Sequence, residues 1–210
     1  MVNANAEKVR SSKGERTRRA VIDAANEILA ESGAAAASQD NVARRAGITQ
    51  SALRHHFPTK EELLEAVFDD ALTGYRESIE RILLEPGGSP GMRLTRIVSS
   101  HLDYVASASD ARTFETFAYW ARNAEAREPR QQWYIWLVGH YEDLIQRLRP
   151  TLDAEDCRER GMQVLTLTLG AWVTLGRTRP VLIDKSTKRT KAALQRAVDA
   201  IVGTELPWLP

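Results

Sequence analysis

Apolar residues recur at intervals of three and four positions along most of the chain, which is the spacing of an amphipathic α-helix. In the first such stretch, one apolar face contains Val21, Ile22, Ala25, Ile28 and Leu29. We find no segment with the apolar and polar alternation of a half-buried strand. The pattern therefore predicts an all-α fold of about nine helices.

Cap residues mark the helix boundaries in the N-terminal third. Gly33 is suited to end the first helix in a left-handed conformation, and Ser38 is suited to cap the second. A third helix is predicted over about 50–56, ended by Pro58. Thr59 then has a glutamate three positions later, which is the spacing of a capping box at the start of a fourth helix.

The fourth helix is predicted to extend through Leu84. The Pro-Gly-Gly-Ser-Pro segment at 86–90 is the clearest break in the sequence. Beyond it, helices are predicted at about 91–107, 111–126, 129–148, 153–176 and 187–202. We therefore divide the chain into an N-terminal domain over residues 1–60 and a C-terminal helical domain over residues 61–210.

The segment from Val42 to Phe57 predicts two short helices joined at a glycine, which is a helix-turn-helix. Gly47 supplies the positive φ that a sharp turn needs. Thr49 can cap the second helix and also reach a phosphate. The exposed positions of that helix carry polar or basic side chains that can donate to phosphates or base edges. They are Gln50, Ser51, Arg54 and His55. An ordinary helical hairpin with a solvated face stays open.

The same segment leads into Lys60-Glu61-Glu62-Leu63, which opens the fourth helix. In this context residues 18–68 resemble the DNA-binding domain of TetR/AcrR-type bacterial transcriptional repressors. The matching positions before residue 60 are Val42, Ala43, Ala46, Gly47, Ile48, Thr49, Leu53, His56 and Phe57.

Three positions depart from the family pattern. Ser51 replaces a residue that is usually glycine, and Ala37-Ser38 replaces a Thr-Thr pair. Arg54 replaces a tyrosine that typically touches a phosphate. Arg54 can contact a phosphate or form a bidentate pair with guanine, and the sequence leaves both open.

The resemblance implies a set of DNA-contacting side chains at the start of the second helix and around the recognition helix. His56 is expected at the DNA backbone and Lys60 at a phosphate, with a packed histidine and a solvated lysine as the alternatives. The full set is Ser38, Gln39, Thr49, Gln50, Ser51, Arg54, His55, His56 and Lys60.

Charge is distributed unevenly. Residues 1–60 hold ten Lys/Arg and six Asp/Glu, whereas the whole chain has a net charge of only +1. The stretch 8–19 holds six basic residues and one acidic residue. It is interpreted as a disordered arm that adds salt-dependent affinity for DNA or as a solubilising tail, and both readings stay open.

Aromatic residues concentrate in the C-terminal domain, where ten of the fourteen in the chain lie between residues 101 and 172. Core packing explains any single one of them, but a large aromatic-lined cavity is the alternative. The resemblance favours the cavity, because such proteins usually bind a small effector there. The predicted effector-binding residues are His101, Tyr104, Phe114, Phe117, Trp133, Trp136, His140 and Trp172.

The last helix, 187–202, has one apolar side, and the run over 161–176 is predicted to be buried all round. This is more apolar surface than one monomer needs. The family forms dimers by packing its last two long helices together. A two-fold homodimer then presents two recognition helices to a palindromic operator. Packing within the monomer alone is the alternative.

Several function classes lack support in the sequence. We find no dinucleotide-binding glycine motif, Walker loop, zinc-protease motif or Cys-x-x-Cys, so we expect no enzyme, cofactor or metal. No apolar run is long enough to span a membrane. The first 20 residues lack an apolar core, and one cysteine suits a reducing compartment, so a cytoplasmic location is expected.

The sequence thus predicts a bacterial homodimeric repressor that binds double-stranded operator DNA and is released by a small, apolar or aromatic effector. Two alternatives stay open. One is an activator or an effector-independent DNA binder. The other is a helical small-molecule-binding module that does not bind DNA. The effector, the operator sequence, the regulated genes and the role of the 205–210 tail are not readable from the sequence.

Overall fold

The computed structural model describes residues 13–107, 114, 117–119, 121–122, 127–175 and 187–208. Within these residues the chain is helical and has no strand, which confirms the predicted all-α class and its nine helices. The helices are α1 (Lys13–Ala36), α2 (Gln39–Arg45), α3 (Gln50–His56), α4 (Lys60–Leu84), α5 (Pro90–Ser107), α6 (described at 114, 117–119 and 121–122), α7 (Arg127–Leu148), α8 (Ala154–Leu175) and α9 (Thr187–Val202).

The chain divides into two compact units, residues 1–71 and 72–210. The division falls inside α4, so this helix contributes residues to both units. The boundary predicted from the sequence lies at Lys60, the first residue of the same helix.

The first unit has a small apolar core built by α1, α2, α3 and the start of α4. The apolar face predicted for α1 is buried, as are Leu53 from α3 and Leu63 from α4. The helical course of α1 is broken at Gly33, which has a φ of 75°. Glycine adopts this left-handed conformation without the steric cost that a Cβ would add, so the predicted end of the first regular helix is confirmed.

Side-chain caps fix where α2 and α4 begin. The Ser38 hydroxyl accepts the backbone N–H of Asn41 over 3.2 Å, and the Thr59 hydroxyl accepts that of Glu62 over 3.1 Å. Each cap satisfies an amide that the helix leaves without a partner and is worth about 1 kcal/mol. Both predicted N-caps are confirmed.

The basic N-terminal stretch is helical from Lys13 onward, so a disordered arm over 8–19 is wrong for residues 13–19. Residues 8–12 lie outside the described residues. Arg19 forms one ion pair with Asp23 at 2.8 Å and a second with Asp70. The Arg18 guanidinium lies 5.1 Å from the centre of the Phe57 ring. These contacts connect the second turn of α1 to Asp70 of α4 and to Phe57, the residue after α3.

The second unit is centred on α7 and α8, against which α5 and α9 pack. At the α7–α8 crossing, a Cβ added to Gly161 would lie 3.1 Å from the Cβ of Tyr141. Any larger residue at position 161 would force Tyr141 to move by a few tenths of an ångström. The crossing leaves only 1% of Tyr141 exposed. The core around it includes Ile97, Leu137, Leu144, Val164 and Val198.

The prediction that the 161–176 run is buried all round is wrong for the single chain. An exposed stripe of α8 contains Met162, Gln163, Thr166 and Gly170. Met162, Thr166 and Gly170 are four positions apart and share one face of the helix, and Gln163 lies beside them. Within the described residues, no helix has both the length and the apolar character needed to cross a bilayer.

The segment after α9 folds back onto the second unit. Asp199 accepts the backbone N–H of Leu206 over 3.1 Å and the indole N–H of Trp208 over 2.8 Å. Leu206 is buried in the core. The described part of the 205–210 tail is thus a packed element that closes the C-terminal end of α9.

Candidate functional site

The turn between α2 and α3 sets the direction of α3. Gly47 has a φ of 68°, and the N–H of Ile48 donates to the carbonyl of Ala43 over 3.0 Å. The Thr49 hydroxyl accepts the N–H of Ala52 over 3.2 Å and caps α3. A residue with a Cβ would be strained in the left-handed conformation at Gly47 by about 1–2 kcal/mol. The glycine and the cap therefore hold α3 in one orientation.

One face of α3 is buried and the opposite face is open to solvent. Leu53 is fully buried, and Phe57, which follows the helix, is 3% exposed. The four side chains predicted to face outward are exposed in the structure: Gln50, Ser51, Arg54 and His55. The structure thus brings together a polar and basic surface of the size that a DNA major groove accepts.

Arg54 is connected to α2 through Gln39. The Arg54 Nε donates to the Gln39 side-chain oxygen over 3.3 Å. The Gln39 side-chain nitrogen donates to the carbonyls of Phe57 and Pro58 over 2.9 and 3.2 Å. Gln39 therefore links the start of α2, the side chain of Arg54 and the chain after α3.

The other predicted contacts lie around this surface and have structural partners of their own. Ser38 is half-buried and caps α2. The Lys60 ammonium donates to the carbonyl of Ala34 at the end of α1 over 2.7 Å. His56 is half-buried, with its ring centre 5.5 Å from that of His55 in an edge-on arrangement.

Several arginines of the first unit are neutralised by acids. Arg45 contacts Glu27 at 3.0 Å and Glu31 at 2.9 Å, which joins α2 to α1. These contacts lower the pKa of the Glu31 carboxyl, and the hydrogen bond from Arg45 is the largest cause. Arg44 contacts Asp40 one turn earlier in α2. Arg45 thus joins two helices, whereas the charge of Arg44 is paired within α2.

In the second unit, the predicted effector residue His101 is buried between α4 and α8. Its Nε2 lies 3.1 Å from the carbonyl oxygen of Thr168, and its Nδ1 lies 2.7 Å from the hydroxyl of Tyr75. A carbonyl only accepts, so Nε2 carries the proton and Nδ1 accepts from Tyr75. Burial lowers the pKa of His101 to about 4, so the ring is neutral at pH 7.

Aromatic rings surround the Tyr75 side of this histidine. The Tyr75 ring centre lies 5.6 Å from that of Trp133 and 6.1 Å from that of Tyr104. The indole nitrogen of Trp133 is buried and has no hydrogen-bond partner. A buried donor without an acceptor costs about 1–3 kcal/mol. We call Tyr75, His101, Tyr104 and Trp133 the Tyr75 cluster.

Trp136 and His140 extend these rings along α7. Trp136 lies 6.4 Å from Trp133 and 4.7 Å from His140, measured between ring centres. The Arg76 guanidinium sits 4.6 Å above the Trp136 ring. Burial is also the main cause that lowers the pKa of His140. Trp136 is therefore already covered on one face by a cation from the same chain.

The remaining predicted effector residues are Phe114, Phe117 and Trp172. Phe114 and Phe117 are half-buried and lie 6.4 Å apart between ring centres. The side chain of Trp172 lies outside the described residues. An open groove of about 860 Å³ between α7 and α8 is lined by Tyr134, Ile135, Val138 and Met162 and by none of the predicted effector residues.

Sequence reasoning missed Tyr75. It lies on α4, far along the chain from the aromatic-rich segment, yet it contacts His101, Tyr104 and Trp133. Tyr75 lies four positions before Ile79, which is buried, so the two share one face of α4. This helical spacing was the signal in the sequence that could have placed Tyr75 in the core. Within the described residues, no group of His, Cys, Asp or Glu side chains is arranged to hold a metal.

Comparison with known proteins identifies sequences and structures that are similar to this chain. Residues 21–67 match the model of the bacterial regulatory proteins of the tetR family. The HTH-type transcriptional regulator BetI of Escherichia coli K12 is 29% identical over 176 residues, which cover 83% of this chain and 87% of BetI.

Solved structures share the fold. A TetR/AcrR-family regulator from Thermobifida fusca superposes with a TM-score of 0.69 at 22% identity, covering 87% of this chain and 96% of its own. SmeT, the repressor of the Stenotrophomonas maltophilia multidrug efflux pump SmeDEF, has a TM-score of 0.62 at 24% identity, covering 95% of this chain and 100% of its own. SmeT has also been solved as a complex with triclosan.

Proposed function

Because this chain is a TetR-family transcriptional regulator, we propose that it is a homodimeric repressor of transcription in the bacterial cytoplasm. It binds a palindromic operator through α2 and α3 and is released by a small, apolar or aromatic effector. The observation that carries the proposal is the exposed face of α3, held in one orientation by the Thr49 cap and Gly47.

The side chains proposed to contact bases and phosphates are the exposed ones of α3, namely Gln50, Ser51, Arg54 and His55. Lys60 uses one of the three N–H bonds of its ammonium on Ala34, which leaves two for a phosphate. Ser38, Gln39, Thr49 and His56 border this surface and contact the DNA backbone. Phosphate contacts of this kind make the affinity fall steeply with salt.

The Tyr75 cluster is the proposed effector site, together with Trp136, His140, Phe114, Phe117 and Trp172. The unsatisfied indole N–H of Trp133 supports it, since an effector with an acceptor atom would supply the missing hydrogen bond. The neutral His101 adds no charge, which favours an apolar or aromatic effector over an ionic one.

The exposed stripe of α8 supports the homodimer. A matching exposed stripe on α9 holds Arg189, Ala193, Arg196 and Ala200. Small side chains such as Thr166, Gly170, Ala193 and Ala200 let two helices approach closely. A two-fold pairing through these helices would present two copies of α3 to the two halves of a palindrome.

Effector release requires that the effector bind the DNA-free form more tightly than the DNA-bound form. The proposed coupling element is α4, because Tyr75 belongs to the effector cluster and Lys60 begins the same helix beside α3. A ligand that moves Tyr75 would bias the position of α4 and, with it, the spacing of the two α3 helices in the dimer.

Fluorescence anisotropy tests the DNA-binding part of the proposal. Purified protein is titrated into duplexes taken from the DNA flanking its gene and into scrambled duplexes of the same composition, across a salt series. We expect binding that is tighter to one flanking duplex by a factor of about 10³ or more. The control is the double variant Gln50→Ala with Arg54→Ala, which should lose this selectivity while keeping its helical circular dichroism.

Equal binding to both kinds of duplex, unaltered by the double substitution, would contradict the proposal and favour a helical module that does not read DNA. A promoter–reporter fusion tests the sign of regulation. Deletion of the gene should raise reporter output if the protein represses, and lower it if the protein activates.

A further inference from the structure

Arg54 differs from its neighbouring arginines in the kind of group that holds it. Arg19, Arg44 and Arg45 are each paired with carboxylates. Arg54 is exposed, and its Nε donates to the neutral side-chain amide of Gln39. A neutral partner leaves the full positive charge of the guanidinium available to another molecule.

Gln39 is itself fixed, so it can orient Arg54. Its side-chain nitrogen donates to the carbonyls of Phe57 and Pro58, two groups that only accept hydrogen bonds. This assigns the nitrogen and the oxygen of the amide without ambiguity. The oxygen therefore points at the Nε of Arg54 from a position set by the chain that follows α3.

A hydrogen bond at Nε has a specific consequence for what the guanidinium can bind. Of its five N–H bonds, one is used by Gln39 and the four on the two terminal nitrogens remain. Two parallel N–H bonds from these nitrogens match the O6 and N7 acceptors of guanine in the major groove. A guanidinium held at Nε could also take a phosphate with two N–H bonds, so the choice of guanine follows from where Arg54 lies: it is exposed on the face of α3 that also carries Gln50 and Ser51.

We infer that Arg54 reads a guanine in each operator half-site and that Gln39 is the positioning residue that holds its guanidinium for this contact. The inference rests on the proposed function, because it assumes that α3 enters the major groove. Gln50 lies one turn before Arg54, so it faces the neighbouring base pairs. Specificity at the guanine position then depends on α2 as well as on α3.

The test measures base preference and salt dependence together in the full-length protein. Operator duplexes with every base at each position of a half-site are titrated with the wild type, Arg54→Ala, Gln39→Ala and the control Arg44→Ala. For Arg54→Ala we expect a loss of preference for guanine of about tenfold or more at one position per half-site. The other positions and the slope of log K against log salt should stay as in the wild type.

Gln39→Ala should weaken the preference at the same position and leave the other positions unchanged. A merely structural role of Gln39 would instead lower affinity equally for all duplexes. Thermal melting shows whether Gln39→Ala weakens the fold, and Arg54→Ala tests the inference independently of that result. Arg44→Ala removes another exposed arginine of the same domain and should alter no base preference.

A phosphate contact would give a different result. Arg54→Ala would then retain the base preference and reduce the salt slope by about two for a dimer, since each phosphate contact contributes about 0.9. That result, or an unchanged preference of any kind, would overturn the inference while leaving the proposed function intact. A wild type with no sequence preference would overturn the proposed function, and the inference with it.

Discussion

The hydroxyl of Tyr75 donates a hydrogen bond to Nδ1 of His101 over 2.7 Å. This hydrogen bond joins α4 to α5. Nε2 of the same histidine donates to the carbonyl of Thr168, which adds α8. Three helices of the second unit therefore meet at one neutral imidazole, which is held in a single tautomer. The same tyrosine packs against Trp133, with the two ring centres 5.6 Å apart.

Replacing Tyr75 with phenylalanine should destabilise the protein by about 1–3 kcal/mol. The substitution removes the hydroxyl that donates to Nδ1 of the buried His101, and a buried polar atom that loses its hydrogen bond is costly. Urea unfolding at pH 7.5 measures the loss. A double-mutant cycle with His101→Phe should give a coupling free energy of about 1 kcal/mol between the two side chains. Additive effects of the two substitutions would contradict the hydrogen bond.

Stability should fall on mild acidification because of His101. Burial lowers the pKa of this ring to about 4, whereas its ordinary value is 6.5. The unfolded chain binds the proton more readily, so stability is fully present above the unfolded pKa and declines as the pH falls toward the folded one. The loss from this group should be about 2 kcal/mol between pH 7.5 and 5.

Urea unfolding of the wild type and of His101→Phe at both pH values isolates this contribution. Because other groups also titrate in this range, the quantity of interest is the difference between the two pH dependences. His101→Phe should lose less stability on acidification than the wild type does. Parallel losses in the two proteins would show that His101 is not the group responsible.

Trp133→Phe should leave the free energy of unfolding within about 1 kcal/mol of the wild type. The smaller ring loses apolar contact, but the substitution also removes a buried donor that has no acceptor. Urea unfolding tests this part. If an effector accepts from that N–H, a panel of aromatic compounds that releases wild-type protein from its operator should release Trp133→Phe less readily, with operator affinity unchanged.

Equal loss of stability and of operator binding in Trp133→Ala would identify Trp133 as core alone. Unaltered release in Trp133→Phe would exclude a hydrogen bond from the indole to the effector. The two variants therefore separate packing by the ring from recognition by its N–H.

Replacing glycine with alanine should lower the stability of the protein at one position and raise it at another. Gly47 has a φ of 68°, so Gly47→Ala should destabilise the protein by about 1–2 kcal/mol even though its Cβ would meet nothing within 4 Å. Gly139 is an exposed residue inside α7 with equally open space, and Gly139→Ala should stabilise by up to about 1 kcal/mol. Thermal melting compares them. A harmless Gly47→Ala would contradict the account of the α2–α3 turn.

Local signals in the sequence were sufficient for most of the first unit. The caps Ser38 and Thr59 and the turn at Gly47 depend on a few neighbouring residues, so their residue types predicted them. The exposed face of α3 followed from helical spacing. In each case the interaction that fixes the structure joins residues five or fewer positions apart.

Contacts between distant parts of the chain were not predictable in the same way. The Lys60 ammonium donates to the carbonyl of Ala34, and Arg54 donates to the side chain of Gln39. The distance across each pair depends on how several helices pack together, so neither hydrogen bond could be predicted from neighbouring residues. Tyr75 joins the aromatic residues for the same reason. The α8 prediction failed because an apolar composition does not say whether another chain or the same chain covers a face.

Selection from random DNA tests the central claim most directly. The purified protein is incubated with a pool of random duplexes, and the bound molecules are sequenced after several rounds. The account predicts enrichment of an inverted repeat whose half-sites lie about one helical turn apart, or a multiple of that, with a guanine at one fixed position in each half. A pool that stays random after repeated rounds would contradict the assignment of α2 and α3 as a DNA-reading element.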